Sequence, residues 1–328
     1  MALKASSKLY HLKSPSKPDA VVAFLGGLGF SSADVAAAVA RNPKILCAKV
    51  ERTLAPIVVE LSGLGLSRSE IARLFLHSSV TLRLKSIVSR LPYLLPLLGS
   101  YEILLRAIKR SSCLLNFDHE RVVKPNVAFL GECGLGACDI AKLCIASPRM
   151  LTTNPGRVRA LAECAQAIGV PRGSGLFREA TQAVAYLRKE KVAARLDNLK
   201  KTFRWLDAET RIAISRAPSL LMRSNDKLQS RSEFLISEAG LEPAYIARRP
   251  VMLLYNLEGH LKPRYYVVKL LKENVLLAPN RDYYAALMIS EKLFMEKFIC
   301  RHKEAAPFLA EDYATACRGE VPTRFRFT

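Results

Sequence analysis

A leucine returns every 32–36 residues along this 328-residue chain, three positions after a Pro or a small residue. Four copies are complete: Pro43-Lys44-Ile45-Leu46, Pro148-Arg149-Met150-Leu151, Pro218-Ser219-Leu220-Leu221 and Pro250-Val251-Met252-Leu253. Two more keep the Leu without the Pro, at Ser79-Val80-Thr81-Leu82 and Ser112-Cys113-Leu114-Leu115, and a seventh set at Val184 puts Leu187 in register. Self-similarity at such a period marks a solenoid, whose repeats bury their apolar faces only against neighbours. A core that grows along one axis removes the usual reason for a chain of this length to split into several globular domains. Such proteins commonly bind partners rather than transform substrates.

Within each period the signals keep one order. A helix start comes first, as in Ser31-Ser32-Ala33-Asp34 or Ser67-Arg68-Ser69-Glu70, where Ser followed three residues later by an acid has the capping-box spacing. An amphipathic run follows and stops at the anchor Pro, which has no amide donor and crowds the carbonyl four residues back. Pro fits the first turn of a new, short helix, expected to be 3₁₀ because only three or four residues remain before the next polar break. The Leu at the anchor plus three then enters the core, where its burial stabilises by about 1.5–3 kcal/mol. Gly29, Gly65, Gly99 and Gly134 close the preceding helices at the position of a left-handed cap. The fold class is therefore all-α, with an N-terminal segment at 1–16, a solenoid of seven to eight units over 17–281, and a helical cap with a basic tail at 282–328. The last segment keeps helical spacing without the Pro-x-x-Leu element.

Fifty Lys and Arg against twenty-nine Asp and Glu give a formal charge of +21. That excess calls for a polyanionic partner. Cys133, Cys138 and Cys144 form the one cysteine cluster, but their gaps are not those of a zinc site, so no metal, cofactor or disulfide is expected and the thiols read as small hydrophobes. No apolar run reaches the length of a membrane span, so no membrane insertion is expected. The start is basic and lacks acids before Asp19, as transit peptides do. Leu9 lies near one period before Leu46, which favours the tail of an earlier repeat, any presequence then lying upstream.

These ordered features resemble the mitochondrial transcription termination factor family, in its plant-type form, from about Lys17 to Pro307. The resemblance rests on the repeated Gly-Leu-x-x-x-[Asp/Glu]-Ile-Ala…Pro-x-[Leu/Met]-Leu units, on Pro250 to Arg264, and on Ser290-Glu291-Lys292-Leu293-Phe294-Met295-Glu296-Lys297-Phe298. It implies a left-handed α-solenoid of helix–helix–3₁₀ repeats. It also implies a basic concave groove holding double-stranded DNA or RNA in mitochondria or, alternatively, chloroplasts. Organellar transcription or splicing proteins are possible partners, and a monomer is expected.

The repeat also locates charge. Nine residues after the anchor stand Arg52, Arg121, Arg157 and Lys227. A row with the structural period projects from one edge of a solenoid and suits a phosphate backbone. Lys44, Arg83, Lys85, Arg149 and Arg223 lie in or just after the anchor element, and Lys262 and Arg264 lie beside aromatics. Phe203 and Trp205 read as core; Tyr265 and Tyr266 read equally as core or as platforms for bases. There is no His-Glu-x-x-His, phosphate loop or nucleophile elbow, and the five His are scattered. The expected function is non-enzymatic regulation of organellar gene expression, by transcription termination or RNA maturation. The rival is a scaffold whose concave face holds an acidic helix.

Overall fold

The computed structural model describes residues 14–77, 88–110, 114, 117–187 and 189–320. All regular structure among them is helical, arranged in two compact units, Met1–Ala162 and Glu163–Thr328. In the first, a helix at Ser16–Gly27 precedes repeat 1, which consists of a first helix Ser32–Arg41, a short helix Pro43–Cys47 and a second helix Val50–Leu54 continuing into Ala55–Gly63. Repeat 2 has Arg68–His77 and Leu91–Leu98, and repeat 3 has Tyr101–Arg110 and His119–Val123 continuing into Lys124–Glu132. Repeat 4 has Ala137–Ala146, Arg149–Thr152 and Pro155–Ala167. The second unit holds repeat 5 (Phe177–Tyr186, Lys189–Phe203), repeat 6 (Asp207–Arg216, Pro218–Met222, Asn225–Ser232 into Glu233–Glu238) and repeat 7 (Pro243–Arg248, Pro250–Leu254, Leu257–Leu261 into Lys262–Glu273). Within each unit first helices pack on those of neighbouring repeats: Ser32–Arg41 on Arg68–His77, that on Tyr101–Arg110, and Asp207–Arg216 on Pro243–Arg248.

The expected start signals do their work. Ser31 and Asp34 exchange hydrogen bonds with each other's backbone amides at 3.1 Å, and Ser67 and Glu70 repeat the arrangement. The anchor elements at Pro43, Pro218 and Pro250 are 3₁₀; the one after Pro148 is instead a single α-turn. Side chains at both anchor plus two and plus three are buried at Met150 and Leu151, Leu220 and Leu221, and Met252 and Leu253. In repeat 1 the order shifts: Ile45 is buried while Leu46 is only half-buried. Ser79, Leu82, Ser112 and Leu115 lie outside the described residues.

Val184 behaves differently from the expectation. It lies inside the helix Phe177–Tyr186, and no separate short helix precedes Lys189 among the described residues. Unlike Pro, Val keeps its amide and continues the helix. Leu187 is nonetheless buried.

Thirteen residues after the anchor, repeats 1, 3 and 7 carry Pro56, Pro125 and Pro263. In each the preceding turn opens to a π-turn, with Ala55 N–H donating to Val50, Lys124 to His119 and Lys262 to Leu257. The cause is steric. A Pro ring crowds the carbonyl four residues back and offers it no donor, so the helix widens by one residue.

One device links successive repeats. Asn126, fourteen residues after its anchor, donates to Leu151 O at 3.0 Å and Thr153 O at 2.7 Å, both at the end of the next repeat's short helix. Arg231 donates twice to Tyr255 O, and Arg264 donates to Ala286 O, Leu287 O and Ile289 O at 2.7–3.1 Å. The last carbonyls of a helix have no partner within it. A buried donor from the preceding repeat supplies one.

The Arg264 contacts also identify the element after repeat 7. Tyr283–Met288 occupies the place of a short helix, with Tyr284 at the anchor and Leu287, fully buried, one period after Leu253. The segment from Asp282 therefore keeps the anchor Leu and loses only the Pro, correcting the sequence reading. Glu291–Phe294 and Met295–Ile299 form the matching second helix, and Leu309–Cys317 packs against Lys262–Glu273.

Candidate nucleic-acid interface

The four residues nine positions after the anchor occupy equivalent positions in their repeats. Arg52 is third in the second helix beginning at Val50, Arg121 third from His119, Arg157 third from Pro155 and Lys227 third from Asn225. All four are exposed, and none forms an ion pair among the described residues. Three lie in the first unit and Lys227 in the second. The residue six after the anchor caps two of the four helices from outside: Asp118 accepts from Arg121 N–H at 3.0 Å, and Asn154 from Gly156 N–H at 2.9 Å, whereas Lys49 and Ser224 make no such bond. Glu51, Glu120 and Asp226 take the second position, where an acid complements the helix dipole.

A cation one residue further on opposes that dipole, by about 0.3–1 kcal/mol at an exposed terminus. Adjacent residues on a helix do not face each other, so the acid does not cancel it. Four such placements in register run against local stability. Repeat 7 has Gly259 at this site, where an added Cβ would meet Cys317 O at 3.5 Å; the C-terminal helix covers the position there.

The other predicted cations divide. Lys44 and Arg149 are exposed at the second residue of their anchor elements, and Arg223 is half-exposed just after its short helix. Lys262 is half-buried and paired with Glu258 at 2.8 Å. Arg264 is not a surface cation. It is 1% exposed, directs its two terminal nitrogens to three carbonyls and Glu291, and lies 4.5 Å over the Phe294 ring. Burial pushes the Glu291 carboxyl up, but hydrogen bonds from Arg264 and Tyr313 outweigh it and hold the carboxyl below its usual range. Arg83 and Lys85 lie outside the described residues.

The aromatics beside these cations serve the fold. Phe203 and Trp205 are buried and stacked at 4.6 Å, with the indole N–H on Pro243 O. Tyr265 donates to Glu238 O and packs edge-on against Phe234 and Tyr283. Phe203 and Trp205 offer no free face for base stacking, whereas Tyr265 is half-buried and lines a cleft beside Tyr245.

A second periodic row was legible but unread. Two residues before the anchor stand Arg41, Arg110, Arg216 and Arg248, in the last turn of first helices. Arg216 donates to Arg248 O, joining adjacent repeats. Cations here favour the helix dipole, so stability alone accounts for them.

Among the described residues no three His, Cys, Asp or Glu side chains are placed to hold a metal ion, and no single helix is long and apolar enough to cross a membrane. Cys133 and Cys144 are buried, and burial pushes the Cys144 thiol up to about 12.

The chain matches the mTERF family over residues 8–295. It is 23% identical over 277 residues to transcription termination factor MTERF8, chloroplastic, from Arabidopsis thaliana, covering 79% of this chain and 51% of that protein. The chain thus spans about half the length of this relative. With a family match that spans most of its length, residues 8–295, the chain belongs to the mTERF family.

Proposed function

We propose that the chain is a non-enzymatic, organellar nucleic-acid-binding protein that regulates gene expression, in transcription termination or RNA maturation. One observation carries the reading: Arg52, Arg121, Arg157 and Lys227 hold unpaired charge at the third position of their helices, against the helix dipole. A phosphate backbone laid against Arg52, Arg121 and Arg157 of the first unit, or against Lys227 of the second, converts unfavourable charges into contacts, and helix N-termini add amides that favour anions. The family and the name of the chloroplast relative support an organellar site, mitochondrion or chloroplast.

The test is a salt titration of binding to duplex DNA and to RNA, with the four residues changed together to Ala. On duplex, log K is expected to fall with log salt by about 0.9 per phosphate neutralised, and the variant to flatten the slope by about 3.6. A flat titration of the native chain, or an unchanged slope in a folded variant, overturns the reading. Protein that purifies free of nucleic acid and binds an acidic helix instead supports the scaffold.

A further inference from the structure

The second unit contains a cleft of about 360 Å³ between Tyr245 of the repeat 7 first helix, Tyr265 and Lys272 of its second helix, and the loop carrying Asn280 and Arg281. Its origin is topological. Elsewhere two to nine residues, four at Leu64–Ser67 and nine at Ile168–Leu176, lead from a second helix into a next first helix. After Glu273 the chain reaches Tyr283 with no first helix at all, because Tyr283–Met288 is already the short-helix element. A nine-residue loop, 274–282, crosses where a first helix would pack, and leaves a gap.

That loop is strained at its start. Val275 has φ +58°, the left-handed conformation that the corresponding Gly29, Gly65, Gly134 and Gly240 adopt without cost. A β-branched residue there costs about 1–3 kcal/mol, and such strain collects at functional loops.

The walls are aromatic and the rim is cationic. Each Tyr is pinned through its hydroxyl: Tyr245 to Asp282, Tyr265 to Glu238 O, Tyr283 to Leu261 O. Tyr245 and Tyr265, both half-buried, present ring surface to the cleft, with the Arg249 guanidinium 4.2 Å from the Tyr245 ring, while Tyr283 is almost wholly buried behind them. Asp282 is held by Tyr245 and by Arg249 at 3.7 Å, and Glu273 lies 3.8 Å from Lys269. Lys272 and Arg281 have no carboxylate partner among the described residues, leaving the lining with surplus positive charge. The cleft, at about 360 Å³, falls within the range of about 300–1,000 Å³ of small-ligand sites.

We propose that this cleft binds a nucleoside phosphate, the base against the pinned tyrosine rings and the phosphate on Lys272 and Arg281. It lies by the C-terminal end of its second helix, whereas the proposed phosphate-binding row lies at second-helix N-termini, about 20 Å away along a helix of this length. The ligand is a free nucleotide or a splayed nucleotide of a bound strand, and the two are separable.

Ligand-observed NMR on the full chain tests this with AMP and GMP, with inorganic phosphate as competitor and a 5′-phosphorylated trinucleotide as the strand probe. Saturation transfer to the base protons is expected, together with at least tenfold weakening in Lys272→Ala/Arg281→Ala at unchanged melting temperature. Lys272→Glu serves as a second variant if the double change unfolds. Binding of the trinucleotide but not the mononucleotides supports the site and assigns the strand as source. Failure of both probes overturns the proposal, as does displacement by phosphate alone without any base contact. The Arg52, Arg121, Arg157 and Lys227 quadruple Ala variant keeps this binding, so the cleft and the proposed function fail separately.

Discussion

Replacing Arg264 by Ala separates a structural guanidinium from a nucleic-acid contact. The side chain bonds three carbonyls of the following element and one carboxylate, and covers the Phe294 ring. Removing one partner of a buried, hydrogen-bonded ion pair costs about 3–5 kcal/mol. Glu291 is largely exposed, so water reclaims its charge and the expected loss sits near the lower end, about 3 kcal/mol. In a repeat protein that loss is local, because each unit touches only its neighbours. Hydrogen exchange should therefore quicken by more than a hundredfold across residues 283–302, at about 1.4 kcal/mol per tenfold, and stay unchanged near Leu151. Arg264→Met, which keeps the stem volume without donors, should recover part of the loss. Native protection at 283–302 combined with weakened nucleic-acid binding would refute the argument, for it would mean that the guanidinium reaches outward.

The same geometry sets other outcomes. Leu221→Ala should destabilise by about 2–5 kcal/mol, and Leu46→Ala by clearly less because Leu46 is half-exposed; denaturant midpoints compare them. Val275→Gly should raise stability by about 0.5–1 kcal/mol, since relief of left-handed strain exceeds the entropy glycine adds to the unfolded chain; a lower melting temperature would show the strain is absent. His119 and His260 are both held below the usual histidine range by burial, against the opposing effect of their bonds to Leu114 O and Leu287 O. The unfolded chain then binds more protons than the folded one, so stability is full at neutral pH and falls as pH drops through about 6.5. Melting curves from pH 7.5 to 5.5 should show this, and His119→Gln/His260→Gln should flatten it.

The architecture was legible because burial of one Leu per repeat leaves a regular trace, and the anchor Pro marks where each first helix ends. Where Pro was missing the reading slipped. Val184 permits its helix to run on to Tyr186, and the anchor there is not a separate element. Tyr284 hid an anchor for the opposite reason, since Leu287 keeps its place without any flanking signal. The interface was legible where charge shared a register with structure, as at Arg52, Arg121, Arg157 and Lys227. Arg264 was not, because composition counts a cation without saying whether carbonyls have already claimed it. Lys262 failed the same way against Glu258, four residues earlier on one helix. The cleft could not be read at all, for it arises from a helix that one repeat omits.

The bonds that Asn126, Arg231 and Arg264 send into the next repeat all run towards the C-terminus. Neighbouring repeats are therefore unequal: one holds and the other is held. A lesion in a holder loosens the short helix of its successor, while the same lesion in the held element leaves the holder's own helix intact. Damage then travels down the chain more readily than up it. Stiffness along such a protein has a direction, set by a handful of buried amide and guanidinium groups.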